Sequence, residues 1–153
     1  MNILFDTNII LSIVRAKRLT EIMTFLNPQN KSIFCSVVTE AESRVFATKN
    51  KWGETKVAKL DYILQQITVI EVSQSLISTY VAINSYSDRL NPNFSNYPFN
   101  TPRNMGKNDL WIGSTASLLG LQLVTTDQDF DHLDDTFLDL RRIDPTELKQ
   151  YFR

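Results

Sequence analysis

The sequence predicts an α/β fold, with a mostly parallel central sheet of about five strands flanked by helices. Short apolar runs alternate along the chain with longer segments whose apolar residues recur at helical spacing. Helical crossovers of this kind join parallel strands, because neighbouring parallel strands require a long connection. A third observation supports the same fold: acidic residues stand where strand-like runs end or helix-like runs begin, at Asp6, Glu42, Asp109 and Asp127.

In the first half of the chain, the strands are short runs of Ile, Leu, Phe and Val, and the helices carry apolar residues on one face. The second helix has Thr20 and Glu21 in its first turn, where such residues are favoured. The fourth is amphipathic, with Val57, Leu60 and Ile63 on one side. The predicted elements, in order, are a strand at 2–5, helices at 7–14 and 19–26, a strand at 32–36, and helices at 38–48 and 56–66.

In the second half of the chain, the residues that begin or end helices are easier to recognise. Ser73 is predicted to cap a helix, Gly120 to end one, and Pro145 to occupy the first turn of the last. An irregular loop is predicted at 90–107, where three prolines and Gly106 interrupt a polar stretch. The predicted elements are a strand at 68–72, helices at 74–88 and 109–119, strands at 121–125 and 137–143, and a short helix from Asp144.

Length, charge and cysteine content limit the functions that are possible for this protein. A chain of 153 residues fits one domain, expected over 1–153. The formal net charge is −1, which excludes binding to nucleic acid by bulk charge and leaves only a local contact. Cys35 is the only cysteine, so no intrachain disulfide forms and a reducing compartment is expected. We expect a cytoplasmic protein without membrane contact, because Asp6 and Asn8 interrupt the apolar start and no apolar run would span a bilayer.

The acidic residues carry the chemistry. The carboxyl ends of parallel strands converge on one crevice. Carboxylates grouped there repel one another, and a divalent cation bound between them neutralises their charge. Oxygen ligands of this kind suit Mg²⁺, with Mn²⁺ as an alternative. Each acid alone has a simpler interpretation as a helix cap, an exposed helix residue or a turn residue. As a set they favour a metal-dependent enzyme that acts on phosphate esters.

Four segments in this order also resemble a known family: FDTNII, VVTEAES, NDLWIGSTA and LVTTDQDF. The chain resembles the PIN-domain nucleases and, among them, is most similar to the VapC toxins of bacterial toxin–antitoxin pairs. The resemblance extends from Met1 to about Ile143, and the loop at 90–107 is similar to that of one branch. It implies a PIN-like, three-layer fold.

The resemblance also implies roles for individual residues. The four catalytic acids correspond to Asp6, Glu42, Asp109 and Asp127. Asp6, Asp109 and Asp127 are the expected metal ligands, and Glu42 is expected to bind a second metal or to orient the attacking water. The choice between Glu40 and Glu42 stays open, as does a part for Asp129. The polar residues expected to hold the carboxylates in place are Asn8 and Thr125.

A substrate contact requires cations beside the acids. Arg44, Lys107 and Arg103 are predicted to bind RNA phosphates because they lie close in sequence to the proposed ligands. The aromatic residues of the loop, Phe94, Tyr97 and Phe99, either stack on unpaired bases or pack onto the body of the domain, and packing is favoured. His132 is predicted to lie on the surface, in a turn or cap. Because no histidine lies near the acidic motifs, metal-bound water is expected to act as the nucleophile without a histidine base.

The implied activity is Mg²⁺-dependent endoribonucleolytic hydrolysis that leaves a 5′-phosphate and a 3′-hydroxyl, with tRNA as a common target. The implied partners are an antitoxin, which lays a helix into an apolar groove, and a second copy in a homodimer. Two rivals remain. One is a catalytically silent RNA-binding or interaction module. The other is a small Mg²⁺-dependent phosphatase, which is disfavoured because Asn8 stands where that class needs a second aspartate.

Overall fold

A computed structural model describes residues 1–153 and shows a five-stranded sheet with helices on both faces. The strands are β1 Ile3–Phe5, β2 Ile33–Ser36, β3 Thr68–Ile70, β4 Gln122–Thr125 and β5 Asp139–Arg142. The α-helices are α1 Thr7–Arg15, α2 Leu19–Leu26, α3 Val37–Lys49, α4 Glu54–Gln65, α5 Ile77–Ser87, α6 Lys107–Leu119 and α7 Pro145–Leu148. Short 3₁₀ helices cover Gln74–Leu76, Gln128–Leu133 and Lys149–Phe152.

The strand order is β3-β2-β1-β4-β5, and every pair is parallel. This confirms the predicted fold class. The chain builds the sheet outward from β1 in one direction and then returns to add β4 on its other side. Leu4 therefore pairs with Phe34 on one side and with Leu123 on the other. Such a reversal of strand order opens a crevice at the carboxyl ends of the two central strands.

Alternation along β1 divides the core between the two faces of the sheet. Ile3 and Phe5 lie in a cluster with the buried side of α1, whereas Leu4 lies in a second cluster with α6 and Phe130. Both faces of a parallel sheet must be covered by helices. Each of the two clusters is the buried contact between one face of the sheet and the helices that cover it. The three-layer arrangement is confirmed.

Some boundaries differ from the prediction. The Ser73 side chain caps nothing: a 3₁₀ turn follows it, and α5 begins only at Ile77. The edge strands β3 and β5 are shorter than predicted because each pairs on one side only. Gly120 ends α6 with φ +63°, as predicted, since glycine adopts this left-handed conformation without steric cost.

The loop between α5 and α6, residues 88–106, contains no helix or strand, and Lys107, which was predicted to lie in the loop, is the first residue of α6. Its aromatic residues surround Tyr86, whose ring lies 4.7 Å from Phe94, 5.3 Å from Tyr97 and 5.4 Å from Phe99. Phe99 is only 4% exposed. The loop aromatics therefore pack onto the body of the domain. None of the helices has the length and hydropathy that crossing a bilayer would require.

Candidate metal centre

The crevice between β1 and β4 brings together residues from both ends of the chain. Phe5 pairs with Val124, and the Asp6 amide donates to the Val124 carbonyl over 3.1 Å. The residues that follow the two strands therefore lie side by side, although more than a hundred positions separate them in sequence. Asp6 and Asp127 enter the site in this way.

Asp6 is 4% exposed and held on both oxygens. The Thr7 amide donates to Oδ1 over 2.7 Å and the Thr125 hydroxyl to Oδ2 over 2.6 Å. Burial raises the pKa of Asp6 to about 6, against the effect of these two hydrogen bonds, and the charges of Asp127 and Glu42 raise it further. Asp6 does cap α1, so the simpler interpretation is true as well, but capping alone does not require this burial.

Asp109 lies in the first turn of α6, which begins at Lys107 and is capped by Gly106, so Asp109 is not the cap. Carboxylate oxygens of Asp109, Asp127 and Asp129 all lie within 4.8 Å of one another. We call these three residues the carboxylate group. Burial raises the pKa of Asp109 to about 7, and the neighbouring acids add to the effect, Asp6 most among them.

The carboxylate group fits a hard divalent cation. Its donors are all oxygens, and the charges of the neighbouring acids add to the burial that raises the pKa of Asp109, as expected of carboxylates that a cation would neutralise. The Asp127 side chain also accepts from the Asp129 amide over 2.8 Å, which orients it at the start of a 3₁₀ helix. Asp129 thus belongs to the carboxylate group, although the sequence left its part in the site open. Asp6 lies beside the group.

Glu42, and not Glu40, faces these acids. Its Oε1 accepts from the Thr7 hydroxyl over 2.7 Å and its Oε2 from the Asn108 side-chain amide over 3.1 Å. Glu40 instead accepts from Arg44 over 3.1 Å. Sequence reasoning missed Thr7 and Asn108. The available signal was their position, since each directly adjoins a proposed ligand.

The two predicted supporting residues differ. Thr125 is buried and holds Asp6, whereas Asn8 is exposed and its side chain has no hydrogen-bond partner in the protein.

Among the predicted substrate-binding cations, Arg44 is engaged by Glu40 and by Asp61, the latter over 2.8 Å.

Arg103 and Lys107 remain without ion-pair partners. Lys107 is exposed at the start of α6, and the Arg103 guanidinium lies 5.4 Å from the ring centre of Phe99. These two cations are free to meet a phosphate.

The prediction that His132 lies on the surface is wrong. The side chain is half-buried, hydrogen-bonded through Nε2 to the Ser87 hydroxyl over 2.7 Å, and stacked on Tyr86. Burial lowers the pKa of His132 to about 4, helped by the charge of Arg103. The ring is therefore neutral at pH 7 and part of the packing around the loop.

The family model that describes the PIN domain matches residues 3–136, which include every acid of the site. The chain belongs to the PIN-domain family. Members of this family are nucleases that in general use divalent metals. The carboxylate group lies within the part of the chain that the family model matches.

Several solved structures with the same fold are VapBC complexes. VapBC2 from Rickettsia felis, bound to a promoter DNA fragment, is 23% identical with a TM-score of 0.72, covering 93% of this chain and 98% of that one. VapBC-1 from nontypeable Haemophilus influenzae is 24% identical with a TM-score of 0.66, at 93% and 98% coverage. VapBC-5 from Mycobacterium tuberculosis is 21% identical with a TM-score of 0.60, also at 93% and 98%. At these identities the likeness shows the fold. No curated protein matches the sequence closely.

Proposed function

We propose that residues 1–153 form a single PIN-domain endoribonuclease that depends on Mg²⁺, with Mn²⁺ as a substitute, and acts as the VapC-type toxin of a toxin–antitoxin pair. The observation that carries this proposal is the carboxylate group at the carboxyl edge of the sheet, flanked by Asp6 and Glu42. Its target is RNA, with tRNA as the first candidate and a block of translation as the consequence.

In the proposed site Asp109, Asp127 and Asp129 would hold the metal together with Asp6. When bound, the metal supplies charge neutralisation at the phosphate and a more acidic water. Asp6 is kept ionised and correctly oriented by Thr125 and the Thr7 amide.

Glu42 has both oxygens oriented by donors, from Thr7 and Asn108, and keeps lone pairs to accept a proton from the attacking water or to hold a second ion. Arg103 and Lys107 bind the flanking phosphates, which a group of carboxylates would otherwise repel. Arg44 has a lesser part as long as Glu40 and Asp61 engage it.

The test is cleavage of total tRNA by the purified protein, freed of any partner, in Mg²⁺, in Mn²⁺ and in EDTA. Discrete fragments with 5′-phosphate ends are expected with either metal and none with EDTA. Asp109→Asn should lower the rate at least about a hundredfold, because it removes a charged ligand. Asp135→Asn is the matched control, since Asp135 is exposed in a turn outside the site.

Asp109→Asn protein that cleaves as fast as wild type would contradict the proposed site. RNA binding that is indifferent to EDTA, without cleavage, would instead support the silent RNA-binding module. Turnover of small phosphate esters but not of RNA would support the phosphatase.

The antitoxin and the homodimer are part of the proposal. A cavity of about 180 Å³ between α2 and α4 is lined by apolar side chains such as Met23, Ile63 and the half-exposed Tyr62, and suits an apolar helix face. On α5, Ile77 and Val81 are 49% and 57% exposed, which offers apolar surface to a second copy. Sedimentation of wild type and of Val81→Lys tests the dimer: the variant should be monomeric at concentrations where wild type is not.

A further inference from the structure

A polar pocket of about 710 Å³ opens next to the carboxylate group. It lies between loop residues 98–104 and the segment 128–136. Asp129 belongs both to its wall and to the carboxylate group. If a phosphodiester sits at the metal site, a neighbouring nucleoside therefore lies at the pocket mouth. The volume falls within the roughly 300–1,000 Å³ typical of sites for small ligands, which is ample for one nucleoside.

Two amide side chains in the pocket wall are available for recognition. Asn104 and Gln128 come from opposite sides of the pocket, and both are exposed. Neither side chain makes a hydrogen bond within the protein, in contrast to Asn91 and Asn108, whose side-chain amides donate to protein acceptors. An amide offers one donor group and one acceptor, the pair of functions that reads a base edge.

Arg103 supplies a planar surface. Its guanidinium lies over Phe99, 5.4 Å from the ring centre, and no carboxylate pairs with it. Phe99 is almost fully buried, so a base cannot reach its ring, but the outer face of the guanidinium is open. Unpaired bases stack on arginine planes in this way.

The charges in the wall favour a base over a phosphate. Three carboxylates line the pocket, and only two are engaged: Asp131 binds Arg142 over 2.7 Å, and Asp134 accepts from the Leu140 amide over 3.0 Å. The Asp129 side chain accepts no hydrogen bond from the protein. Three carboxylates therefore face one cation, Arg103, in the pocket wall, and this charge balance disfavours an anion and favours a ligand that brings its own N–H donors.

We propose that this pocket binds the unpaired base adjacent to the scissile phosphate, with Asn104 and Gln128 as specificity-determining residues. The base stacks on the outer face of the Arg103 guanidinium, whose N–H edge stays available to a flanking phosphate, and donates an exocyclic amino group to the acceptors of the wall, so adenine, cytosine and guanine are accepted and uracil is disfavoured. The inference rests on the proposed nuclease function, and names the part of the substrate that the site selects.

Cleavage of an RNA with a randomised single-stranded segment, followed by sequencing of the fragment ends, tests the preference. Wild type should disfavour uracil at one fixed position beside the cut. The double variant Asn104→Ala/Gln128→Ala should reduce that discrimination about fivefold or more, the range of a lost base contact. The control Gln29→Ala/Asn96→Ala removes two exposed amides that lie outside the pocket and should keep the wild-type preference.

A second measurement does not depend on cleavage. In the NMR spectrum with Mg²⁺, cytidine 5′-monophosphate should shift the side-chain amide signals of Asn104 and Gln128, and uridine 5′-monophosphate should do so at least about fivefold more weakly. Cleavage with no base preference, or a preference that the double variant retains, overturns the subsite and leaves the nuclease intact. Absence of cleavage defeats the proposed function, and unshifted Asn104 and Gln128 signals then overturn the subsite independently.

Discussion

The Thr125 hydroxyl donates a 2.6 Å hydrogen bond to Oδ2 of Asp6, across 119 positions of sequence. Both side chains are buried, and the same hydroxyl accepts from the Asp127 amide over 3.0 Å. Thr125 thus connects the acid that follows β1 with the acid that follows β4. Thr125 therefore holds the two carboxylates close together in spite of the repulsion between their charges.

Replacing Thr125 by Val should therefore destabilise the protein more than the loss of a typical buried hydroxyl. The variant leaves an ionised, buried carboxylate without one of its two donors, at a cost of about 1–3 kcal/mol. Urea denaturation at pH 8 in EDTA measures the change in the free energy of unfolding. The control is Thr115→Val, because the Thr115 hydroxyl donates to a carbonyl of its own helix. Equal losses in the two variants would contradict the role given to Thr125.

The metal-free protein should lose stability as pH rises from 6.5 to 8. The pKa of Asp109 is about 7 in the folded protein and near 3.8 in the unfolded chain, so the native state binds more protons and a rise in pH favours unfolding. The fall should be below about 1 kcal/mol over this window, because Asp109 is only half-buried and solvent screens its neighbours.

The window above pH 6.5 isolates Asp109. The pKa of Asp6, about 6, acts mostly below it, and His132, with a pKa of about 4, contributes in the opposite direction between pH 4 and 6.5. Thermal denaturation in EDTA should show the slope in wild type and not in Asp109→Asn. Saturating Mg²⁺ should abolish it. A slope that persists in Asp109→Asn would assign it to another group.

Tyr86→Leu should loosen the loop 88–106. The Tyr86 ring lies at the centre of an aromatic cluster that includes Phe94, Phe99 and Phe137. Its replacement should cost about 2–4 kcal/mol, since aromatic contacts and buried volume are both lost. Hydrogen exchange should accelerate first in the loop. The control Tyr62→Leu, at a side chain 54% exposed, should change stability by less than about 0.5 kcal/mol. Unchanged loop exchange in Tyr86→Leu would refute the anchoring role.

Two glycines in and after α6 should respond oppositely to alanine. A Cβ at Gly113 would lie 3.7 Å from Phe130 and Leu133, an ordinary contact, so Gly113→Ala should stabilise the helix by about 0.5–1 kcal/mol. Gly120 has φ +63°, and Gly120→Ala should destabilise by about 1 kcal/mol because a Cβ strains this conformation. Melting temperatures of the two variants measure both effects. Destabilisation by Gly113→Ala would mean that the core there cannot accept a methyl group.

The sequence by itself determined the parallel α/β fold and the family, and it placed Asp6 and Asp127 just after strands. Apolar periodicity is a local property that survives without coordinates, and Asp6 and Asp127 adjoin strands that such periodicity locates. The end of α6 at Gly120 was predictable for the same reason, since the left-handed conformation required there is the one that glycine adopts most easily.

Only the tertiary structure decided which side chains meet. Glu40 and Glu42 are two residues apart on one helix, and the rotation of α3 turns Glu42 toward Thr7 and Asn108 and leaves Glu40 to Arg44. The same packing buries His132 against Ser87. These outcomes depend on contacts between elements that are distant in sequence. Local periodicity predicts which face of a helix is apolar, but it does not predict which other element that face packs against.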